Sequence, residues 1–133
     1  MNKFKSLWHD VRGAAVIEIA IALPVLILFI YGIFQVGIAF QASAGMQNAL
    51  GEGARYATLF PVKTDEEIRQ RIKDRVFGTG IGTFSEPSVT TPDASLCTKC
   101  RLLAVTFTMT PNFLFFTGPP VTLTREKRVY TAS

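Results

Sequence analysis

Hydropathy along the chain changes character at two places. From Ala14 to Phe40 the only charged residue is Glu18, and the only other strongly polar one is Gln35. A bilayer core takes about 20 apolar residues, so this run predicts a membrane-spanning helix. The rest of so small a chain could not cover such a helix on every side. Past the run, Gly45, Ala49, Gly53 and Ala57 recur every four residues. That ridge of small side chains permits close backbone approach. It suits packing against the protein's own C-terminal part and packing against another subunit equally well. Carried from Ala14 to Thr58, the helix would be about 68 Å long at 1.5 Å per residue. Only about 30 Å of it is needed for the bilayer, and the remainder is expected as a stalk. Pro24 removes one backbone donor inside the run and should bend the helix below it. Arg55 and Tyr56 near the top could anchor a globular part, although a solvated Arg55 is an equal expectation.

After Phe60 the pattern shortens. Thr64-Asp65-Glu66-Glu67 reads as a capping box with Thr64 at the N-cap. Ile68, Ile72 and Val76 then make one apolar stripe, and Gly78 is a natural stop, so a second helix is expected over 65–77. Its Arg69, Arg71, Lys73 and Arg75 alternate with acids and read as a solvated face. Gly78, Gly80 and Gly82 lack the Lys-Ser/Thr and the strand–loop–helix frame of a phosphate loop. A short strand is possible at 88–91. Leu103, Val105, Phe107 and Met109 alternate with polar or small residues and predict a half-buried strand. Val121 and Leu123 begin another that could continue to Tyr130. Between them Phe113-Leu114-Phe115-Phe116 sits in a turn region and is expected to join the core, with a contact tip as the other possibility. The sum is an α+β chain: a long N-terminal transmembrane and stalk helix, then a small domain with a second helix and an antiparallel sheet.

Composition refines this picture. The 133 residues include 14 basic and 10 acidic ones, a net charge of +4. The isoelectric point near 9.3 would invite a nucleic-acid reading, but mean hydropathy is +0.28. Half of the excess charge lies in residues 1–13, where Lys3, Lys5 and Arg12 oppose Asp10 alone. No charge follows the apolar run until Glu52 and Arg55. The positive-inside rule then leaves the N-terminus in the cytoplasm and the rest outside. A nucleic-acid partner is not expected. Ala42-Ser43-Ala44 resembles a signal-peptidase box, but the run before it is longer than the 7–15 residues of a signal h-region.

Glu18 needs a reason, because a carboxylate inside a membrane helix is costly and usually paired. It follows a basic leader that ends in Gly13, five residues before it. This junction resembles the type IV prepilin class of processing sites, which implies cleavage by a prepilin peptidase between Gly13 and Ala14. Cleavage would free an α-amine of reference pKa about 7.7–8.0 one turn from Glu18. That pair, within one chain or between subunits, would turn two costly charges into one ion pair and fix register. The alternative is a carboxylate that snorkels to the interface.

The resemblance narrows over the stretch from Gly13 to Pro61. Val16-Ile17-Glu18, Leu23-Pro24, Gly32, Gly37 and Glu52-Gly53-Ala54-Arg55-Tyr56-Ala57 are similar to the TadE-like family, minor pseudopilins of the tight-adherence (Flp) pilus system. Departures are Ile19, where an aromatic commonly follows the Glu, and Leu50-Gly51, where the family tends to Ala-Arg. The resemblance implies three parts: a cytoplasmic prepilin leader (1–13), a transmembrane and stalk helix (14–58) and an extracytoplasmic domain (59–133) of pilin-like class. It implies a single-pass protein of a bacterial inner membrane. Its partners would be the lipid bilayer, the prepilin peptidase, other pilin or pseudopilin subunits and the inner-membrane assembly platform. A bitopic binding module with no pilus role is the alternative.

Catalysis is not expected. The only histidine, His9, lies in the leader, so processing would leave no Ser/His/Asp or Cys/His arrangement. No metal or cofactor is implied. Cys97-Thr98-Lys99-Cys100 lacks the helix that follows a thioredoxin motif and the further ligands of a zinc site. In an oxidising compartment the reading it favours is a structural disulfide.

Overall fold

The computed structural model describes residues 11–78, 80–92, 97 and 99–131, with Val11 and Arg12 as backbone only. Lys3, Lys5, His9 and Asp10 of the expected leader lie outside the described residues. The chain divides into two compact units, residues 1–34 and 35–133. Helix α1, Val11–Ala57, passes through Pro24 and supplies elements to both.

In the first unit α1 is apolar all round from Ala14 to Phe34, apart from Glu18. Val16, Ile17, Ile21, Val25, Phe29, Ile33 and Phe34 are all exposed. The helix is long and apolar enough to cross a membrane.

In the second unit α1 acquires one buried face. Ile38, Ala42, Met46, Ala49, Leu50, Ala54 and Ala57 recur at spacings of three and four and are buried. This is the stripe by which an amphipathic helix enters a core. The expected stalk is therefore the central helix of the domain. Opposite it lies a sheet built on β3, Cys100–Met109. Its Leu103, Val105, Phe107 and Met109 point into the core, as their alternation requires. Strand β6, Val121–Tyr130, pairs antiparallel with all ten residues of β3, from Met109↔Val121 to Cys100↔Tyr130. The other edge of β3 is shared end to end. β1 (Thr83–Phe84) pairs at Phe107 and Thr108, and β2 (Ser88–Thr90) pairs at Leu102 to Ala104. A separate hairpin joins β4 (Asn112–Phe113) to β5 (Phe116–Thr117).

Helix α2 spans Asp65–Lys73. Thr64 caps it: its hydroxyl accepts from the Glu67 N–H at 3.2 Å, and Glu67 Oε2 accepts from the Thr64 N–H at 2.8 Å. Ile68 and Ile72 are fully buried against the α1–sheet core. A second column, one residue in every four, ties α2 to the sheet side. Asp65 accepts from Arg101 Nε at 2.8 Å, Arg69 Nε donates to the Pro87 carbonyl at 3.1 Å, and Lys73 pairs with Glu86 at 2.6 Å. The basic residues of α2 are thus largely paired, Arg71 facing Glu52 at 3.7 Å. The helix stops at Asp74 rather than running to residue 77. The Asp74 N–H closes on Gln70, and Val76 turns back to the Ile72 carbonyl. The chain then carries Phe77 across α1, where a Cβ on Gly45 would collide with the Phe77 carbonyl oxygen.

Two outcomes follow from this packing. Gly45→Ala should destabilise the domain, although Ala is a better helix former than Gly by about 1 kcal/mol, because its methyl meets backbone that cannot swing aside. Gly37→Ala, where a Cβ meets nothing within 4 Å, should be neutral or stabilising by urea unfolding in detergent. Equal effects at the two positions would contradict the packing.

The second outcome concerns pH. The hydrogen bonds from the Thr64 backbone and then its side chain hold the Glu67 carboxyl below the usual carboxylate range. The Glu86 hydrogen bond and charge raise Lys73 above the usual lysine value. A depressed acid stabilises above its unfolded pKa, about 4.3 for Glu, and that contribution is lost as pH falls through the folded value. The raised Lys73 contributes below about 10.4 and is lost only as pH rises past its folded value. Amide exchange in α2 should therefore be insensitive to pairing between these limits and accelerate in acid beyond its intrinsic rate. Glu67→Gln should abolish that acid limb; an unchanged limb would show that the cap does not control it.

Candidate functional site

The residues singled out by sequence fall into separate groups. Gly13, Ala14 and Glu18 lie on the first turns of α1, all exposed. A helix brings residues four apart onto one face, so Ala14 and Glu18 share a face one turn apart. None of the ion pairs among the described residues involves Glu18. A Cβ on Gly13 would meet nothing within 4 Å. Glycine in a helix costs about 1 kcal/mol against alanine, and among the described residues nothing packs against Gly13 to compensate that cost. Pro24 lies further along the same exposed, apolar stretch.

The small-residue ridge is filled from within. Gly45, Ala49, Gly53 and Ala57 are all buried. Phe77 covers Gly45, and a Cβ on Gly53 would run into the Ile72 side chain. Between own-domain and subunit packing, these contacts are with the protein's own α2 and the turn after it. Tyr56 packs against the core, with Lys63 5.3 Å and Arg71 5.8 Å from its ring centre. Arg55 is exposed.

Two polar links between α1 and the C-terminal elements had no local signal in the sequence. Arg125 lies opposite Val105 in the β3–β6 ladder, so it points toward α1. Its Nε and Nη2 donate to the hydroxyl of the buried Ser43 at 3.0 and 2.9 Å. Two residues of the α1 helix beyond the first apolar unit therefore carry side-chain hydrogen bonds to the sheet side. The other is Gln35, only 7% exposed. Its Nε2 donates to the Asn112 carbonyl at 3.2 Å, at the start of the β4–β5 hairpin.

That hairpin corrects a sequence expectation. Phe113 is half-buried and stacks on Phe116, with ring centres 5.0 Å apart. Leu114, Phe115 and Phe116 are not core residues: they are 61%, 73% and 57% exposed. Leu114 has a φ of 47°, and the Phe115 N–H turns back to the Phe113 carbonyl across it. A positive φ is unfavourable for a branched side chain.

At the opposite end of β3, Cys97 and Cys100 are joined by a disulfide with a Cα–Cα distance of 5.6 Å. Cys100 is fully buried at the start of the strand. The intervening turn is held by Thr131, whose N–H donates to the Lys99 carbonyl at 3.0 Å. The disulfide thus closes the edge where β3 begins and β6 ends. Among the described residues no group of three or more His, Cys, Asp or Glu side chains is placed to hold a metal ion.

Among the described residues, the features singled out by sequence lie on surfaces: an apolar helix stretch, Ala14–Phe34, carrying one carboxylate, and a small domain built on the rest of α1. Against known proteins, a family model described as TadE-like protein matches residues 13–55. That stretch is similar to the TadE-like family and includes Gly13, Glu18, Pro24 and most of the glycine-alanine ridge. No match was found among curated proteins or among solved structures.

Proposed function

We propose that this chain is a minor pseudopilin that acts in assembly of a tight-adherence (Flp-type) pilus. In this reading α1 anchors it in a bacterial inner membrane, with the leader in the cytoplasm and residues 59–133, packed with the outer half of α1, in the periplasm. A prepilin peptidase cuts after Gly13. The mature helix then meets other pilin or pseudopilin subunits and the inner-membrane assembly platform.

One observation carries the reading: Glu18 is the sole charge in the apolar stretch of α1 from Ala14 to Phe34, and it stands one turn from Ala14. An uncompensated carboxylate there is unfavourable in lipid. A new amine at Ala14 supplies a counter-charge at the right height, in the same chain or in a neighbour. Gly13 supports the same step, since packing among the described residues gives no reason for a glycine at that point, whereas a peptidase that must approach the backbone does. The match to the TadE-like family starts at residue 13, which fits a leader that lies outside the shared part. Mean hydropathy and the mixed charges of the domain suit a membrane partner better than a nucleic acid.

Intact mass of the protein extracted from membranes tests the processing step. The mass expected is that of residues 14–133, and Gly13→Val should restore the mass of the full chain. A full-length mass in the unaltered protein would refute processing, and a mass of residues 45–133 would identify a secretory signal instead.

A further inference from the structure

The exposed β4–β5 tip has no explanation in the fold of the domain. Leu114 adopts a left-handed conformation that Gly or Asn would take at less cost. Three consecutive apolar side chains project from it. A polar turn of the same shape would serve the hairpin equally well, so the fold alone does not account for these side chains.

Two further observations say what covers it. The first is position. The hairpin is held by Asn112 to Gln35, and Gln35 directly follows Phe34, the last residue of the exposed apolar unit. About 20 residues of helix cross a bilayer core, and counted from Ala14 that length ends just before Gln35. The second is charge. No charged residue occurs from Leu102 to Thr124, and none on α1 between Glu18 and Glu52. Arg125, the first charge along β6, is hydrogen-bonded at Ser43. Ser43 is eight residues, or about 12 Å, along the helix from Gln35. On α1, β3 and β6 the end that holds the hairpin thus carries no charge over about that depth. Val36 and Phe40, exposed on α1 near the same level, continue the apolar surface.

We propose that the β4–β5 hairpin is a second membrane contact. Leu114, Phe115 and Phe116 insert into the interfacial layer of the leaflet that faces the domain, while Gln35 ties the hairpin to the emerging helix. The occupant is lipid, and the inference rests on the reading that α1 crosses the bilayer. Such a foot would fix the tilt and rotation of the domain over the membrane, as aromatic interfacial anchors do.

Site-directed spin labelling of the full chain tests this. The cysteines of the chain are paired in the disulfide, so single new cysteines can be labelled. Phe115→Cys, Lys127→Cys and Ile27→Cys would be placed in vesicles of phosphatidylethanolamine and phosphatidylglycerol. Collision rates with oxygen and with a water-soluble nickel chelate would then be measured. At 115 the chelate rate should be several-fold lower than at 127, with oxygen collisions raised. A 115 label as open to the chelate as the 127 label overturns the proposal. So does one shielded from both reagents, which would mean a protein contact. Ile27→Cys separates the two claims. If 27 shows a bilayer signature and 115 does not, only the hairpin proposal fails; if 27 is also aqueous, the spanning reading on which it rests fails with it.

Discussion

One continuous helix here carries two kinds of surface. From Ala14 to Phe34 its side chains, Glu18 apart, are apolar around the whole circumference and mostly exposed among the described residues. From Gln35 the circumference becomes asymmetric, and the stripe from Ile38 to Ala57 is buried. A helix keeps its backbone hydrogen bonds within itself in either setting, so only the side chains need change. Everything else in the domain is arranged to cover that second stripe. β3 contributes four inward side chains, and α2 contributes Ile68 and Ile72. The close approach of α2 depends on Gly53 having no Cβ, and that of the segment after it on Gly45.

The sheet carries the same division in its charges. β3 and β6 are uncharged at the hairpin end, while Arg101, Arg125, Glu126, Lys127 and Arg128 gather toward the disulfide end. Arg125 and Lys127 lie on the inward-facing positions of β6, a place where aliphatic residues are usual. Arg125 is tolerated there because Ser43 gives its guanidinium an acceptor and because its long stem can pack along the sheet. The ion pairs of α2 fasten the helix to α1 through Glu52, to β3 through Arg101 and to the connection between β1 and β2 through Glu86.

Much of this was legible in the residues themselves. The period-two alternation from Leu103 to Met109 reads directly as a strand with one buried face, and Thr64 with Glu67 marks where α2 begins. Where sequence reasoning stopped short, the cause was distance along the chain. The Ser43–Arg125 bond joins residues 82 apart, and no local pattern carries it. The end of α2 at Asp74 is set by the need to lay Phe77 on Gly45, which overrides the stop signal at Gly78. Four apolar residues at 113–116 looked like core, because composition does not distinguish a buried turn from a projecting one. The ridge from Gly45 to Ala57 admitted two partners until α2 was seen to occupy it.

On the proposed reading, the packed half of α1 builds the domain and the bare half does the assembling. That half offers one directional group, Glu18, in surroundings where an unpaired charge is unfavourable. The measurement that tests this most directly is a count of surface pili in cells carrying Glu18→Ala, with cleavage after Gly13 and membrane insertion checked in the same cells. The account predicts a processed, inserted protein and a loss of pili. Normal pili with Glu18 absent would contradict it.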